Sequence, residues 1–218
     1  MERPWRNTKL YHRNRRRGIV KILFATSNPH KVEEVAAILS PHGITVQSLS
    51  DLDVVPPEPV EDSDTFEGNA RLKAVGYAAA TGMRCLADDS GLEVDALDGD
   101  PGVHSARFAG AKGDRSARDA ANNAKLMGLI NDVPENNRTA RFVCAMCLSD
   151  PCGTIVAETR GTFEGVITTE PRGKNGFGYD PLLYLPDRDC TSAELSSEEK
   201  NARSHRGAAV RSIAAKLF

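Results

Sequence analysis

The sequence predicts an α/β fold in which a mixed β-sheet is flanked by helices. Three observations carry this. Strand-like and helix-like patterns alternate along most of the chain, the order that packs helices onto a sheet. The runs Arg138 to Ser149 and Thr154 to Arg160 are joined by the tight turn Asp150-Pro151-Cys152-Gly153, so at least one strand pair is antiparallel. At 218 residues the chain has room for one large domain or two small lobes, and can bury a sizeable core.

Each element has a local cause. Lys21 to Thr26 is an apolar run of strand length. Asn28 then caps a helix and Pro29 takes its first position; the helix runs through about Leu39, and Ser40-Pro41-His42-Gly43 stops it. Ile44 to Leu49 is a second strand, and the Pro-rich acidic stretch Val54 to Val60 is a loop. Asp64-Thr65-Phe66-Glu67 has capping-box spacing and starts a second helix that ends at Thr81-Gly82. Arg84 to Ala87 reads as a short strand, Asp88-Asp89 as its end, and Ser90-Gly91 as a turn. Leu92, Val94 and Ala96 then alternate as a further strand. Asp98 to Gly102 is a turn, and Asp114 caps a third helix to about Asn131. Pro171 to Asp180 is a Gly-rich loop, Leu182 to Leu185 a strand, Ser196 to Glu199 another capping box, and His205 to Leu217 the last helix.

The net charge of −2 conceals an asymmetry. Residues 1–17 hold seven of the 28 Lys and Arg against the single acid Glu2, which leaves 21 basic and 29 acidic residues in the rest. The acidic body argues against a nucleic-acid surface. Residues 1–18 are expected to be a basic, disordered extension and residues 19–218 a single domain; a short arm touching RNA or DNA is the alternative reading of the extension. No run is long enough for a membrane span, and the N-terminus lacks the apolar core of a secretory signal. Five cysteines, an odd number, suit buried thiols in a reducing cytoplasm. Cys144 and Cys147 have CxxC spacing but sit three apart in a strand, on opposite faces, which rules out easy metal sharing.

Several segments could carry chemistry. Asp88 and Asp89 are oxygen ligands suited to Mg²⁺, although an Asp-Asp pair before Ser-Gly also reads as an ordinary turn. Thr26-Ser27-Asn28-Pro29-His30-Lys31 joins a strand to a helix N-terminus, where amides and dipole favour an anion. Lys31 is unfavourable to that helix and therefore suggests a phosphate. Asn69 and Lys73 share one face of the second helix. Glu61 and Asp62 offer a further metal carboxylate or simply a soluble loop. Phe177-Gly178-Tyr179-Asp180 sets aromatics in a Gly-rich loop, suited to base stacking. Ser204-His205-Arg206-Gly207 opens the last helix, where His and Arg can donate to a purine keto oxygen or a phosphate, and Lys200 projects the same way. A nucleoside triphosphate requires these features together.

These segments, in this order, resemble the inosine/xanthosine triphosphate pyrophosphatases. The matching motifs are 25–31, 65–74, 87–92, 101–107, 176–181, 194–195 and 199–207. The resemblance implies an elongated mixed sheet with two lobes around a nucleotide-binding cleft. It implies Mg²⁺-dependent hydrolysis of dITP, ITP and XTP to the monophosphate and pyrophosphate by a cytoplasmic homodimer, with one Mg²⁺ per subunit. Asp89 would be the general base and a Mg²⁺ ligand, Glu61 the second metal carboxylate, and Lys73 and Asp88 their support. Thr26, Ser27, Asn28, Pro29, His30 and Lys31 would contact the triphosphate. Ser90, Phe177, Gly178, Tyr179, Asp180, Lys200, His205 and Arg206 would bind the nucleotide. Gly68 departs from the pattern, since many relatives carry Glu there. The alternatives are a related pyrophosphatase with another base preference and a non-catalytic nucleotide-binding module.

Overall fold

A computed structural model of the chain describes residues 20–217; the basic arm of residues 1–18 lies outside them. One seven-stranded sheet organises the described residues. β1 (Val20–Phe24) leads to α1 (Pro29–Leu39), β2 (Ile44–Ser48) and α2 (Phe66–Thr81). β3 (Cys85–Val94) and α3 (Arg115–Ile130) precede the hairpin of β4 (Thr139–Ser149) and β5 (Ile155–Ile167). The short β6 (Leu183–Leu185) and β7 (Cys190–Thr191) follow, then α4 (Ser197–Arg203) and α5 (His205–Leu217). The strand order is β2-β1-β3-β4-β5-β6-β7. β1 pairs in parallel with β2 and β3, and every later pair is antiparallel.

The sheet is buried on both faces at one end. Ile22, Phe24, Leu86, Cys144, Met146 and Leu148 pack under α1 and α5. Leu23, Cys85, Ala87, Val143, Ala145 and Cys147 pack under α2. Ala70, Ala74 and Ala78 of α2, spaced by four, present a small-residue stripe that brings this helix close to the strands. A third core forms at the other end, where Leu92, Val94, Phe142 and Phe163 meet Leu126 and Ile130 of α3 and Leu182 and Leu183. The two ends are the expected lobes, and β3 and β4 run through both. As alternation requires, Cys144 and Cys147 fall in different cores on opposite faces.

The capping residues act as expected at three helices. Asn28 accepts from the His30 N–H, Asp114 from Ala117, and Ser196 with Glu199 forms a reciprocal box. The second helix differs by one residue: Thr65, not Asp64, is its cap and accepts from Gly68. Glu67 is drawn instead to Arg160, 2.8 Å away. β1 ends at Phe24 rather than Thr26, β5 extends to Ile167, and β7 had no sequence signal at two residues.

The largest difference is β3. It is one strand from Cys85 to Val94, with no turn at Ser90-Gly91. Gly91 is there for close packing: a Cβ would lie 2.4 Å from Ser105 Oγ and 2.5 Å from the Gly102 carbonyl. Asp88 and Asp89 are therefore mid-strand neighbours whose side chains leave on opposite faces.

Candidate active site

The site grows from the point where β1 leaves β3. Their pairing ends at Phe24 and Leu86, and the chain turns through Thr26 to Asn28 into α1. Beyond Leu86, β3 continues with no strand on that side among the described residues. The carboxyl end of a parallel strand beside a diverging neighbour is where open α/β sheets bind ligands.

Asp88 points to the face covered by α1 and α5 and is 1% exposed. Its Oδ2 lies 2.9 Å from Lys31 Nζ and accepts from Arg206 Nε and Nη2, each at 3.3 Å. Burial alone would raise its pKa, but Lys31, Arg206 and Lys73 together hold it well below the usual carboxylate range. Arg206, also 1% exposed, donates to Glu34 at 2.6 Å and to Ser90 Oγ at 3.0 Å. Arg206 is thus largely spent inside the protein. Glu34 was not singled out in the sequence; it follows Lys31 by three on α1, and that shared face was its signal.

Asp89 points to the other face, toward α2. It accepts from Asn69 Nδ2 at 3.1 Å. Lys73, four residues after Asn69, pairs with Glu61 at 2.8 Å. Burial pushes the Asp89 carboxyl up, and Lys73 and Asn69 only partly oppose it. Burial pulls the Lys73 ammonium down, but Asp88, Glu61 and Asp89 outweigh that, and its pKa is raised. Among the described residues no three His, Cys, Asp or Glu side chains gather as a metal cluster. Glu61 and Asp89 remain as a two-carboxylate donor set, incompletely neutralised. That suits a hard cation taking its other ligands from water and phosphate.

The loop into α1 lies beside both faces. Thr26 is nearly buried and its Oγ1 accepts from the Asn28 N–H at 3.2 Å, whereas Ser27, Pro29 and His30 are exposed. Asn28 Nδ2 is buried without a hydrogen-bond partner, a donor left open at a helix N-terminus.

Beside Arg206 opens a small cleft of about 130 Å³. Lys31, Ser90, Phe142, Phe177, Lys200 and His205 are among its walls. Lys200 Nζ sits 2.6 Å from Asp180 and 5.2 Å from the Phe177 ring centre. The Phe177 N–H donates to the same carboxyl oxygen, Oδ2, at 2.8 Å. Tyr179 is buried, and its hydroxyl donates to the Ser105 carbonyl at 2.8 Å. It also lines the cleft. His205 stacks on Phe142 at 5.1 Å and its Nδ1 has no partner. Burial, with Arg206 and Lys200 nearby, holds its pKa well below the ordinary value, so the ring is neutral. His30 lies 6.2 Å from Phe177 with the rings inclined by 25°.

The structure thus brings Lys31, Ser90, Phe177, Lys200, His205 and Arg206 to one cleft and sets Asp89, Asn69, Lys73 and Glu61 together on the other face of β3. A sequence model of the Ham1 family matches residues 22–216. A protein of Exiguobacterium sp. named dITP/XTP pyrophosphatase is 52% identical, covering 91% of this chain and 97% of its own length. Another so named, from Desulforamulus reducens, is 50% identical over 88% of this chain and 92% of its own. A HAM1 protein structure from Coxiella burnetii superposes with a TM-score of 0.80 at 38% identity, covering 91% and 98% of the two chains. The Staphylococcus aureus Ham1 structure gives 0.77 at 38% identity, covering 90% and 97%.

Proposed function

The chain belongs to the Ham1 family, and we propose that it hydrolyses dITP, ITP and XTP to the nucleoside monophosphate and pyrophosphate, clearing non-standard purines from the nucleotide pool. The observation that carries this is the contrast across β3. Asp88 is saturated by Lys31 and Arg206, while Asp89 faces an incompletely neutralised pocket with Glu61 and Lys73.

In this reading the triphosphate lies along the start of α1, against Lys31, the Asn28 amide and the helix N-terminus. Lys73 faces the same region from α2. Asp89 accepts a proton from a water that attacks a phosphorus of the α–β link. The P–O bond to the leaving pyrophosphate breaks, and Lys31 and Lys73 stabilise the charge that develops there. Glu61 and Asp89 would hold Mg²⁺, which when bound supplies Lewis-acid stabilisation of phosphate oxygens.

Base selection falls to the cleft. Phe177 offers a stacking face. Neutral His205 has an open Nδ1, which in the Nδ1–H tautomer donates to a purine 6-keto oxygen. Adenine presents an amino group there and would leave that donor unpaired, a strongly discriminating loss. A homodimer and a cytoplasmic location belong to the same reading. The location is supported by five free cysteines and, among the described residues, by the lack of any helix long and apolar enough to cross a membrane.

Pyrophosphate release from dITP, XTP, dGTP and dATP with Mg²⁺ tests it. Fast turnover of dITP and XTP with little of the other two is expected. Equal turnover of all four, or release of single phosphates, would overturn the substrate assignment.

A further inference from the structure

Three residues of α3 touch the same two residues of the Phe177 loop. Arg115, Asp119 and Asn123 are spaced by four and so share one helix face. The Arg115 guanidinium lies 4.4 Å from the centre of the Phe177 ring, within cation–π range. Asp119 Oδ2 accepts the Gly178 N–H at 2.9 Å. Asn123 Nδ2 donates to the Gly178 carbonyl at 3.0 Å. Asp119 also lies 3.8 Å from Arg115, which offsets a cation placed in the first turn of a helix.

These contacts fix the ring from its backbone. The Gly178 N–H belongs to the peptide that follows Phe177, and the Phe177 N–H is held by Asp180 at 2.8 Å. Gly178 has φ +63° and Gly176 has φ +76°, so Phe177 stands between two left-handed glycines. Such a segment has little stiffness of its own. Asp180, Lys200 and Arg206 restrain it from the other side; losing α3 removes half of its anchors, and binding would then have to supply more of the order.

We propose that Asp119, supported by Asn123 and Arg115, is a positioning residue for substrate binding: α3 holds Phe177 ready to stack on the base. This rests on the reading that Phe177 stacks on the nucleotide. Arg115 and Asp119 also line the cleft; acting through Phe177, Asp119 changes KM, and that effect vanishes when the ring is removed.

The test measures KM and kcat for dITP in Asp119→Ala, Asp119→Asn, Phe177→Ala and the Asp119→Ala/Phe177→Ala double variant. Asp119→Ala is expected to raise KM about tenfold, the worth of a charge-assisted hydrogen bond, with kcat little changed. Asp119→Asn keeps an acceptor for the Gly178 N–H and should restore most of the affinity. The double variant should bind no worse than Phe177→Ala alone. Independent, additive effects would overturn the proposal, as would a fall in kcat with KM unchanged. If Phe177→Ala raises KM and Asp119→Ala does not, the proposal fails while base stacking stands. If Phe177→Ala leaves KM unchanged, base stacking itself fails and the proposal with it. Should Asp119→Ala not fold, Asn123→Ala in the same cycle decides, with a smaller KM rise expected and additivity again contradicting it.

Discussion

Asp88 and Asp89 are adjacent in the chain, yet they live in two different regions. On the α1–α5 face, Asp88 is 1% exposed and ringed by Lys31 and Arg206, with Glu34 beyond. On the α2 face, Asp89 accepts from the Asn69 amide and the Ser90 N–H and shares Lys73 with Glu61. The same residue type is driven to opposite pKa directions. Strand alternation is the whole cause: a period of two separates neighbours that a helix or a turn would have left side by side. One face is an electrostatic anchor for the fold. The other leaves two carboxylates sharing one lysine, the charge that the proposed reaction uses.

Asp88→Asn should break the first face most severely. It leaves Lys31 and Arg206 facing each other without their shared anion, in a buried site. A loss of about 3–5 kcal/mol in unfolding free energy is expected, read from urea denaturation. A loss near zero would mean that Glu34 alone neutralises Arg206. On the second face, Lys73→Met keeps the length of the side chain and removes its charge. Turnover of dITP should fall about 100-fold with thermal stability largely kept; unchanged turnover would detach Lys73 from the reaction.

Acid titration sharpens the contrast, because the two faces carry opposite signs. The pKa of Asp88 is depressed in the fold. Its contribution is full above the ordinary carboxylate value and is lost as pH falls through the folded value. The pKa of Asp89 is raised. It favours the fold while protonated, and that benefit disappears as pH rises from the ordinary value through the raised one. In metal-free buffer the thermal midpoint of the wild type should drop on acidification, and Asp88→Asn should flatten that drop. Asp89→Asn should gain on the wild type as pH rises through the carboxylate range. Parallel curves for all three proteins would refute the division.

The smallest effect expected concerns the thiols, which follow the same alternation. Cys85, Cys144 and Cys147 are buried, and burial pushes each up to about 12. Cys152 is exposed, and its bonds with Thr154 lower it. Alkylation at mild alkaline pH should modify Cys152 quickly and leave the other three untouched until the chain unfolds. Rapid labelling of Cys144 would show that the core around Asp88 opens readily.

Much of this was legible in the sequence where the cause is local. Asn28-Pro29, Asp114 and Ser196 to Glu199 mark helix starts through their own side chains. The long hairpin follows from its alternation and its turn. What failed was long-range. Ser90-Gly91 resembles a turn, but Gly91 is required by Ser105 and the Gly102 carbonyl, which approach from a distant segment. Reading a turn there also placed Asp88 and Asp89 together, whereas mid-strand they part. Glu34 and Asp119 bear no motif, and their roles exist only once α1 meets α5 and α3 meets the Phe177 loop.

The most direct measurement is made on Asp89→Asn, with pyrophosphate release from dITP and the thermal midpoint taken on the same sample. Turnover should fall about 1,000-fold, within the range for a lost general base, while the midpoint holds or rises at neutral pH. Preserved turnover, or a collapse in the midpoint like that expected of Asp88→Asn, would contradict the assignment of chemistry to the α2 face of β3.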